Sequence, residues 1–446
     1  MKVLHVTHGY HPDPGGVESY LHIIATAQIA AGDEVVVLTG SIELRETCEV
    51  ETCEVDGVRV IRLYRDDWYN DHYANSYHAG ASRMIRDLFA AEHPDVVHVH
   101  QWIRLTSDVV ALAHDAGLPT IVTLHDVYTS CPRAFRIDRD EQPCSRELSV
   151  ASCAFCVPRF GYESENEVAT GIELFRDQYR SELQLADRVL VATPVTADLL
   201  TKTSGTPRDR FTVQGLPYRQ RFVGLAGAPV DHHPLRFGYW GSLTAHKGPH
   251  VLLQAFRDLV DRVDAPLELH MFGPITTDAI RERLESLAMD LPVTLHGEFD
   301  ASRLVRAGID VAVFPVICFE GFGLGLTEAF ELGLPAIVSD IGALADRIGD
   351  AGLKVPAGDV TALTDAMARM ATDADLRAAC TSAIPEPPPK PAQHVDELRE
   401  HYNAAIASER RTGPRIEGER RTDLALLQRE SNARALRDER GRRDPS

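Results

Sequence analysis

Basic residues are in short supply: 46 lysines and arginines face 66 aspartates and glutamates, a formal net charge of −20 over 446 residues. An acidic balance of that size repels nucleic acid and strongly anionic membrane surfaces, which excludes both as main partners unless a local basic patch overrides the total. Long hydrophobic runs are missing too, and nothing approaches the roughly 20 apolar residues of a membrane-spanning helix. The start, Met1-Lys2-Val3-Leu4-His5-Val6, passes from a short strand straight into turn residues, without the apolar segment and cleavage site of a secretory signal. The expected setting is the cytoplasm. What the chain does have is material for packing, with hydrophobic residues at 44% and charged residues at 25%. A chain of 446 residues exceeds what one core usually serves, so two domains with a cleft between them are expected.

Apolar runs alternate with helical patterns along most of the chain. Val3 to Thr7, Glu34 to Thr39, Val58 to Leu63, Asp95 to His100, Thr120 to Leu124 and Arg188 to Ala192 read as strands of one parallel, doubly wound sheet. A second set follows at Leu235 to Trp240, Leu267 to Phe272, Val293 to His296, Val311 to Phe314 and Ala336 to Ser339. This predicts α/β domains over 1–217 and 235–384, joined by a linker over 218–234. The proline cluster from Pro385 to Pro391 reads as a stiff connector, His394 to Ala407 as a helix within 394–408, and the charged remainder 409–446 as a largely disordered tail. A five-residue unit repeats once, Glu46 to Val50 and Glu51 to Val55, and reads as an edge strand or loop without chemistry of its own.

The stretch most informative about function is Cys318-Phe319-Glu320-Gly321-Phe322-Gly323-Leu324-Gly325-Leu326-Thr327-Glu328. It lies between a predicted buried strand and a helix from Leu324 to Leu332, at the carboxyl end of a strand, where open α/β sheets bind ligands. Gly321 and Gly323 carry no Cβ, so their amides can approach a sugar or phosphate, and the helix start adds positive dipole character. Glu320 can accept hydrogen bonds from sugar hydroxyls, and Glu328, two turns along the helix, can reach a ribose diol. Four further features join it: Gly15-Gly16-Val17-Glu18 after the first strand; Gly241-Ser242-Leu243-Thr244-Ala245-His246-Lys247-Gly248 after the first strand of the second set; His125 at a strand end; and a cysteine cluster.

The Glu-x7-Glu pattern with Gly-Phe-Gly inside it resembles the retaining glycosyltransferases of family 4. The resemblance spans most of residues 1 to 410 and is strongest in the second domain, where Gly273, Gly297, Pro315, Gly333, Pro335, Ser339 and Gly342 also follow the pattern. It implies the GT-B fold, two Rossmann-like domains facing a central cleft, with the C-terminal helix crossing back to the first domain. It also implies a nucleoside diphosphate sugar donor and a hydroxyl acceptor: a small metabolite, an oligosaccharide or a lipid-linked intermediate. The catalytic residues carried over are His125, Lys247 and Glu320. Donor contacts are expected from Gly15, Gly16, Ser242, His246, Lys247, Gly273, Glu320, Gly321, Phe322, Gly323, Leu324 and Glu328. Two positions depart from the family: Ser242 stands where an arginine is typical, and Asp346 where a glutamate is usual. Lys247 must then carry more of the charge of the departing diphosphate. No Asp-x-Asp clamp stands at a suitable place and no side chain is placed as a nucleophile, so a front-face route without catalytic metal is expected. A GT-B nucleotide-sugar epimerase and a non-catalytic nucleotide-sugar-binding protein are the alternatives.

Cys131, Cys144, Cys153 and Cys156 fall in one insertion, spaced Cys-x12-Cys-x8-Cys-x2-Cys. In a reducing compartment such a cluster points to a closed tetrahedral zinc site that braces a loop, with no part in catalysis; free thiols, disulfides and an iron–sulfur cluster are the alternatives.

Overall fold

The computed structural model describes residues 1–67, 71–161, 163–225, 234–413 and 430. The central part of the expected linker and nearly all of the expected tail lie outside the described residues. The chain divides into two compact units. The first comprises Met1–Ala134, Ser145–Pro217 and the segment from Pro389 onward; the second comprises Phe135–Cys144 and Tyr218–Pro388.

The first unit is built on an eight-stranded sheet of β1 (Lys2–Thr7), β2 (Glu34–Gly40), β3 (Glu49–Val55), β4 (Val58–Tyr64), β5 (Val96–Val99), β6 (Thr120–Leu124), β7 (Arg188–Val191) and β8 (Phe211–Val213). Their order is β3-β4-β2-β1-β5-β6-β7-β8. All neighbours pair in parallel except β3, which pairs antiparallel to β4. The central strands are rich in valine, leucine and isoleucine and almost wholly buried, His5 and Thr123 included, as strands covered on both faces of a parallel sheet are. The last seven residues of the two five-residue units, Glu49–Val55, form the edge strand β3, whose middle residues are exposed and in part acidic; such charge blunts edge-to-edge pairing.

The helix Pro391–Ala407 belongs to this first unit and packs on the helix Gly16–Ala30. Val395 and Leu398 are buried there, each contributing about 1.5–3 kcal/mol of apolar burial. Polar pairs fix the register: Tyr20 Oη with His394 Nε2 at 3.0 Å, Gln28 Nε2 donating to Tyr402 Oη at 3.1 Å, and Arg399 Nη2 donating to Asp33 at 2.9 Å.

The second unit holds a six-stranded, wholly parallel sheet: β9 (Leu235–Trp240), β10 (Leu267–Phe272), β11 (Val293–Gly297), β12 (Val311–Phe314), β13 (Ala336–Ser339) and β14 (Gly352–Val355), in the order β11-β10-β9-β12-β13-β14. In each unit the order of connection reverses about the first strand, between β1 and β5 and between β9 and β12. The loops at the carboxyl ends of these strand pairs therefore lie side by side, the geometry in which doubly wound sheets hold ligands. No helix among the described residues is long and apolar enough to cross a membrane.

Candidate active-site residues in the two units

In the second unit, the loops after β9 and β12 meet. Lys247 Nζ forms an ion pair with Glu320 Oε1, across 73 residues of sequence. Burial works against the charge on both groups, and their mutual attraction outweighs it: the Lys247 ammonium is held above its ordinary range and the Glu320 carboxyl below it. The Cys318 thiol donates to the same carboxylate at 3.7 Å. Backbone contacts close the two loops together, with Ile317 N donating to His246 O at 3.0 Å. Gly248 has φ of 70°, and a Cβ there would stand 1.9 Å from Pro315 O, so only glycine lets the loops approach this closely.

The glycine turn of 321–323 is held from behind. Gly323 caps the helix Leu324–Glu331 in the left-handed conformation. Arg347 Nη1 donates to Phe322 O at 2.7 Å and to Gly323 O at 3.2 Å, Nη2 donates to Thr327 Oγ1 at 2.8 Å, and the guanidinium lies 3.7 Å from the Phe322 ring centroid. Burial pulls the Arg347 pKa down to about 10, which leaves it charged at neutral pH. Glu328 is buried and paired with Arg221. Burial raises its carboxyl pKa against the opposing pull of Arg221.

Ser242 is exposed, and its carbonyl accepts from Tyr239 Oη at 2.9 Å. Gly273 packs against the same turn, since a Cβ there would meet Gly241 O at 1.9 Å. His246 stacks on Phe135, centroids 4.0 Å apart. Burial, aided by Lys247, lowers its pKa to about 4. It can therefore hydrogen-bond at neutral pH but brings no second positive charge beside Lys247.

In the first unit, Gly15 and Gly16 open the helix Gly16–Ala30 directly after the β1 loop. Buried Glu18 fills the turn: a Cβ on Gly15 would lie 2.0 Å from Glu18 Oε2, and Glu18 Oε1 meets His8 Nε2 at 3.1 Å. A carboxylate in the first helical turn is favoured by the helix dipole. His125 follows β6, half-buried, with its ring against Tyr20 at 4.6 Å and its Nε2 3.0 Å from His100 Nδ1. Burial lowers its pKa to about 3.

Sequence reading missed Glu18, Arg221 and Arg347. Glu18 closes the Gly-Gly-Val-Glu motif and adjoins its glycines, so the motif carried a signal. Arg221 falls in a stretch read as linker, and Arg347 is separated from the glycine turn by a strand and a loop; neither carried a local signal.

The four cysteines are half-buried. Cys131, Cys153 and Cys156 belong to the first unit and Cys144 to a segment of the second. Within the first unit, Arg133 Nη1 donates to Cys156 O at 2.8 Å and ties the Cys131 segment to the Cys153–Cys156 turn, itself closed by Cys156 N donating to Cys153 O at 2.8 Å.

The family model described as Glycosyltransferase Family 4 matches residues 14–214, and the one described as Glycosyl transferases group 1 matches residues 234–373, together more than half of the chain. A D-inositol 3-phosphate glycosyltransferase from Corynebacterium urealyticum is 27% identical over 307 residues, 66% of either chain, so the match spans just under two thirds of that relative. A 2-deoxystreptamine N-acetyl-D-glucosaminyltransferase from Streptomyces fradiae is 28% identical over 341 residues, 70% of this chain and 72% of the relative. Among solved structures, an α,α-trehalose-phosphate synthase from Burkholderia xenovorans in complex with glucose-6-phosphate superposes with a TM-score of 0.63 at 13% identity, covering 90% of this chain and all of that one. An Anabaena protein in complex with UDP and glucose gives 0.61 at 14% identity, covering 91% and 100%. The chain belongs to the family 4 glycosyltransferases and has their GT-B fold.

Proposed function

We propose that this protein is a retaining glycosyltransferase that moves a sugar from a nucleoside diphosphate sugar to a hydroxyl of a small polyhydroxylated acceptor. The observation that carries the reading is the Lys247–Glu320 pair beside a glycine turn and a helix start, at the strand ends where the sheet order reverses. Without donor, the carboxylate holds the ammonium in place. A bound diphosphate draws Lys247 to itself, which frees Glu320 to accept from sugar hydroxyls. As the bond from the anomeric carbon to phosphate breaks, the new bond to the acceptor oxygen forms on the same face, and the acceptor proton passes to the departing phosphate. Lys247 and the amides of the glycine turn stabilise the charge that grows on that phosphate. Glu328 takes the ribose, His125 the donor sugar, and Gly15 and Gly16 the diphosphate. The two relatives named for inositol phosphate and for deoxystreptamine both concern hydroxylated rings, which supports an acceptor of that class.

The charge on Lys247 makes a divalent cation dispensable for the chemistry in this reading, which takes the protein to work in the cytoplasm. We assign Cys131, Cys144, Cys153 and Cys156 to a structural zinc; in the first unit Arg133 joins the Cys131 segment to the Cys153–Cys156 turn, and the sulfurs of Cys131, Cys153 and Cys156 would have to close together around the ion. Thiolates at the turn Cys153-Ala154-Phe155-Cys156 suit zinc, and four of them would leave no open position for catalysis. Elemental analysis of the purified protein is expected to give one zinc per chain, lost in a Cys153→Ser, Cys156→Ser double variant.

The functional reading is tested by a screen of UDP-, GDP-, ADP- and dTDP-sugars for thermal stabilisation and for slow release of nucleoside diphosphate, with the anomeric configuration of product read by proton NMR. One donor is expected to stabilise the protein and to be hydrolysed or transferred with retention, with or without EDTA. Binding without release would instead indicate a nucleotide-sugar-binding protein, and an isomerised free sugar an epimerase.

A further inference from the structure

Four histidines of the first unit form a continuous buried network that ends at His125. His5 on β1 and His98 on β5 are register partners, and His100 follows β5 on the same face. From Gln28 one arm runs through His5 and His100 to His125: Gln28 Oε1 to His5 Nε2 at 2.7 Å, His5 Nδ1 to His100 Nε2 at 3.0 Å, and His100 Nδ1 to His125 Nε2 at 3.0 Å. The other arm leaves the amide nitrogen: Gln28 Nε2 donates to Tyr402 Oη at 3.1 Å, Tyr402 Oη lies 2.8 Å from His98 Nδ1, and His98 Nε2 lies 2.7 Å from Thr123 Oγ1. Gln28, His5, His98, His100 and Tyr402 are all essentially without solvent exposure.

Burial keeps these rings neutral, with pKa values of about 4 for His5 and about 3 for His125, and well below the ordinary value for His98 and His100. A neutral imidazole has one donor and one acceptor nitrogen, so each bond in such a chain dictates the next. The Gln28 carbonyl can only accept, so His5 carries its proton on Nε2 and accepts at Nδ1. His100 must then donate from Nε2 and accept at Nδ1, and His125 must donate from Nε2. Along the other arm, Tyr402 accepts from the amide and donates to His98 Nδ1, which places the His98 proton on Nε2 toward Thr123.

We infer that Gln28 is a positioning residue that fixes the tautomer of His125 through two intervening histidines, so that His125 presents an unprotonated Nδ1 and accepts a hydrogen bond from its substrate. Among the described residues that nitrogen has no hydrogen-bond partner. Reversing the Gln28 amide would reverse the donors and acceptors of both arms, so the whole network has two polarities and one side chain chooses between them. The nitrogens of His5, His98 and His100 lie within 4.8 Å of one another, close enough for a metal ion. Both nitrogens of all three rings already have polar partners, however, and the hydrogen-bonded chain accounts for each of them. The consequence for substrate rests on His125 contacting the donor sugar; the tautomer itself does not.

Long-range proton–nitrogen NMR on the full chain with 15N-labelled histidine, without ligand at pH 7.5, tests the inference. The His125 signal is assigned by its loss in His125→Gln. Pyrrole-type Nε2 and pyridine-type Nδ1 are expected for His5, His98, His100 and His125 alike, and in Gln28→Leu the His125 signals should move toward a mixture of tautomers. A protonated Nδ1 on His125 in the native chain would overturn the inference, as would an unchanged His125 tautomer in Gln28→Leu or a stoichiometric metal held by the three inner histidines. With the donor found above, Gln28→Leu should lower kcat/KM about two- to tenfold. If the native chain releases no nucleotide, the functional reading fails while the tautomer result stands.

Discussion

Burial sets the charge state of the histidines in and around both candidate sites, and its cost depends on pH. His5 has a folded pKa of about 4 and His125 of about 3, against an ordinary 6.5, and His98 and His100 lie well below that value. The sign follows from proton counting: below pH 6.5 the unfolded chain takes up protons that the folded chain refuses until about pH 4, so stability is lost as pH falls through that window. For His5 alone the loss between pH 7 and pH 5 is about 2 kcal/mol. The urea midpoint is therefore expected to drop steeply from pH 7 to pH 5, with several protons taken up on unfolding. Equal midpoints at the two pH values would contradict the neutral, buried network. At the same scale, Lys247 and Glu320 offset each other's partial burial, so removing either leaves a half-buried charge without its partner.

At the scale of elements, strands buried on both faces were legible because parallel sheets demand continuous apolar runs. The run Val311 to Phe314 and the helix opening at Leu324 stand where their pattern placed them. The helix from Pro391 begins three residues earlier than its apolar pattern suggested, since proline fits the first turn. The hairpin of β3 and β4 was only half legible. Its turn, Asp56-Gly57, has positive φ at both residues, 50° and 80°, a strong hairpin signal, while the acidic strand before it has too little hydrophobic alternation to stand out. The edge strands β8 and β14 escaped notice because Thr212 and Lys354 break them, so neither shows the continuous apolar run of a strand buried on both faces. The candidate residues were legible as motifs, whereas their contacts were not. Lys247 meets Glu320 because β9 and β12 are neighbours, a fact of sheet order that no local window contains. The histidine network likewise depends on β1 lying beside β5 and on a glutamine and a tyrosine 374 residues apart.

At the scale of the whole molecule, the fold is shared with proteins at 13% and 14% identity, and likeness at that level speaks for architecture alone. Chemistry has to be tested at the side chains that differ in role. In the proposed reading, Lys247 acts on charge that grows during bond breaking, whereas Glu328 acts on a ribose that is held equally before and during the reaction. Uniform binding alters affinity, and stabilisation confined to the transition state alters turnover. The most direct measurement is nucleoside diphosphate release with the preferred donor, comparing the native chain with Lys247→Ala and Glu328→Ala. Lys247→Ala is expected to lose on the order of 100- to 1,000-fold in kcat with little change in donor affinity. Glu328→Ala is expected to weaken nucleotide binding by about 10-fold or more, the scale of a hydrogen bond to a charged group, while keeping most of its turnover at saturation. Full activity in both variants would contradict the assignment of the donor site.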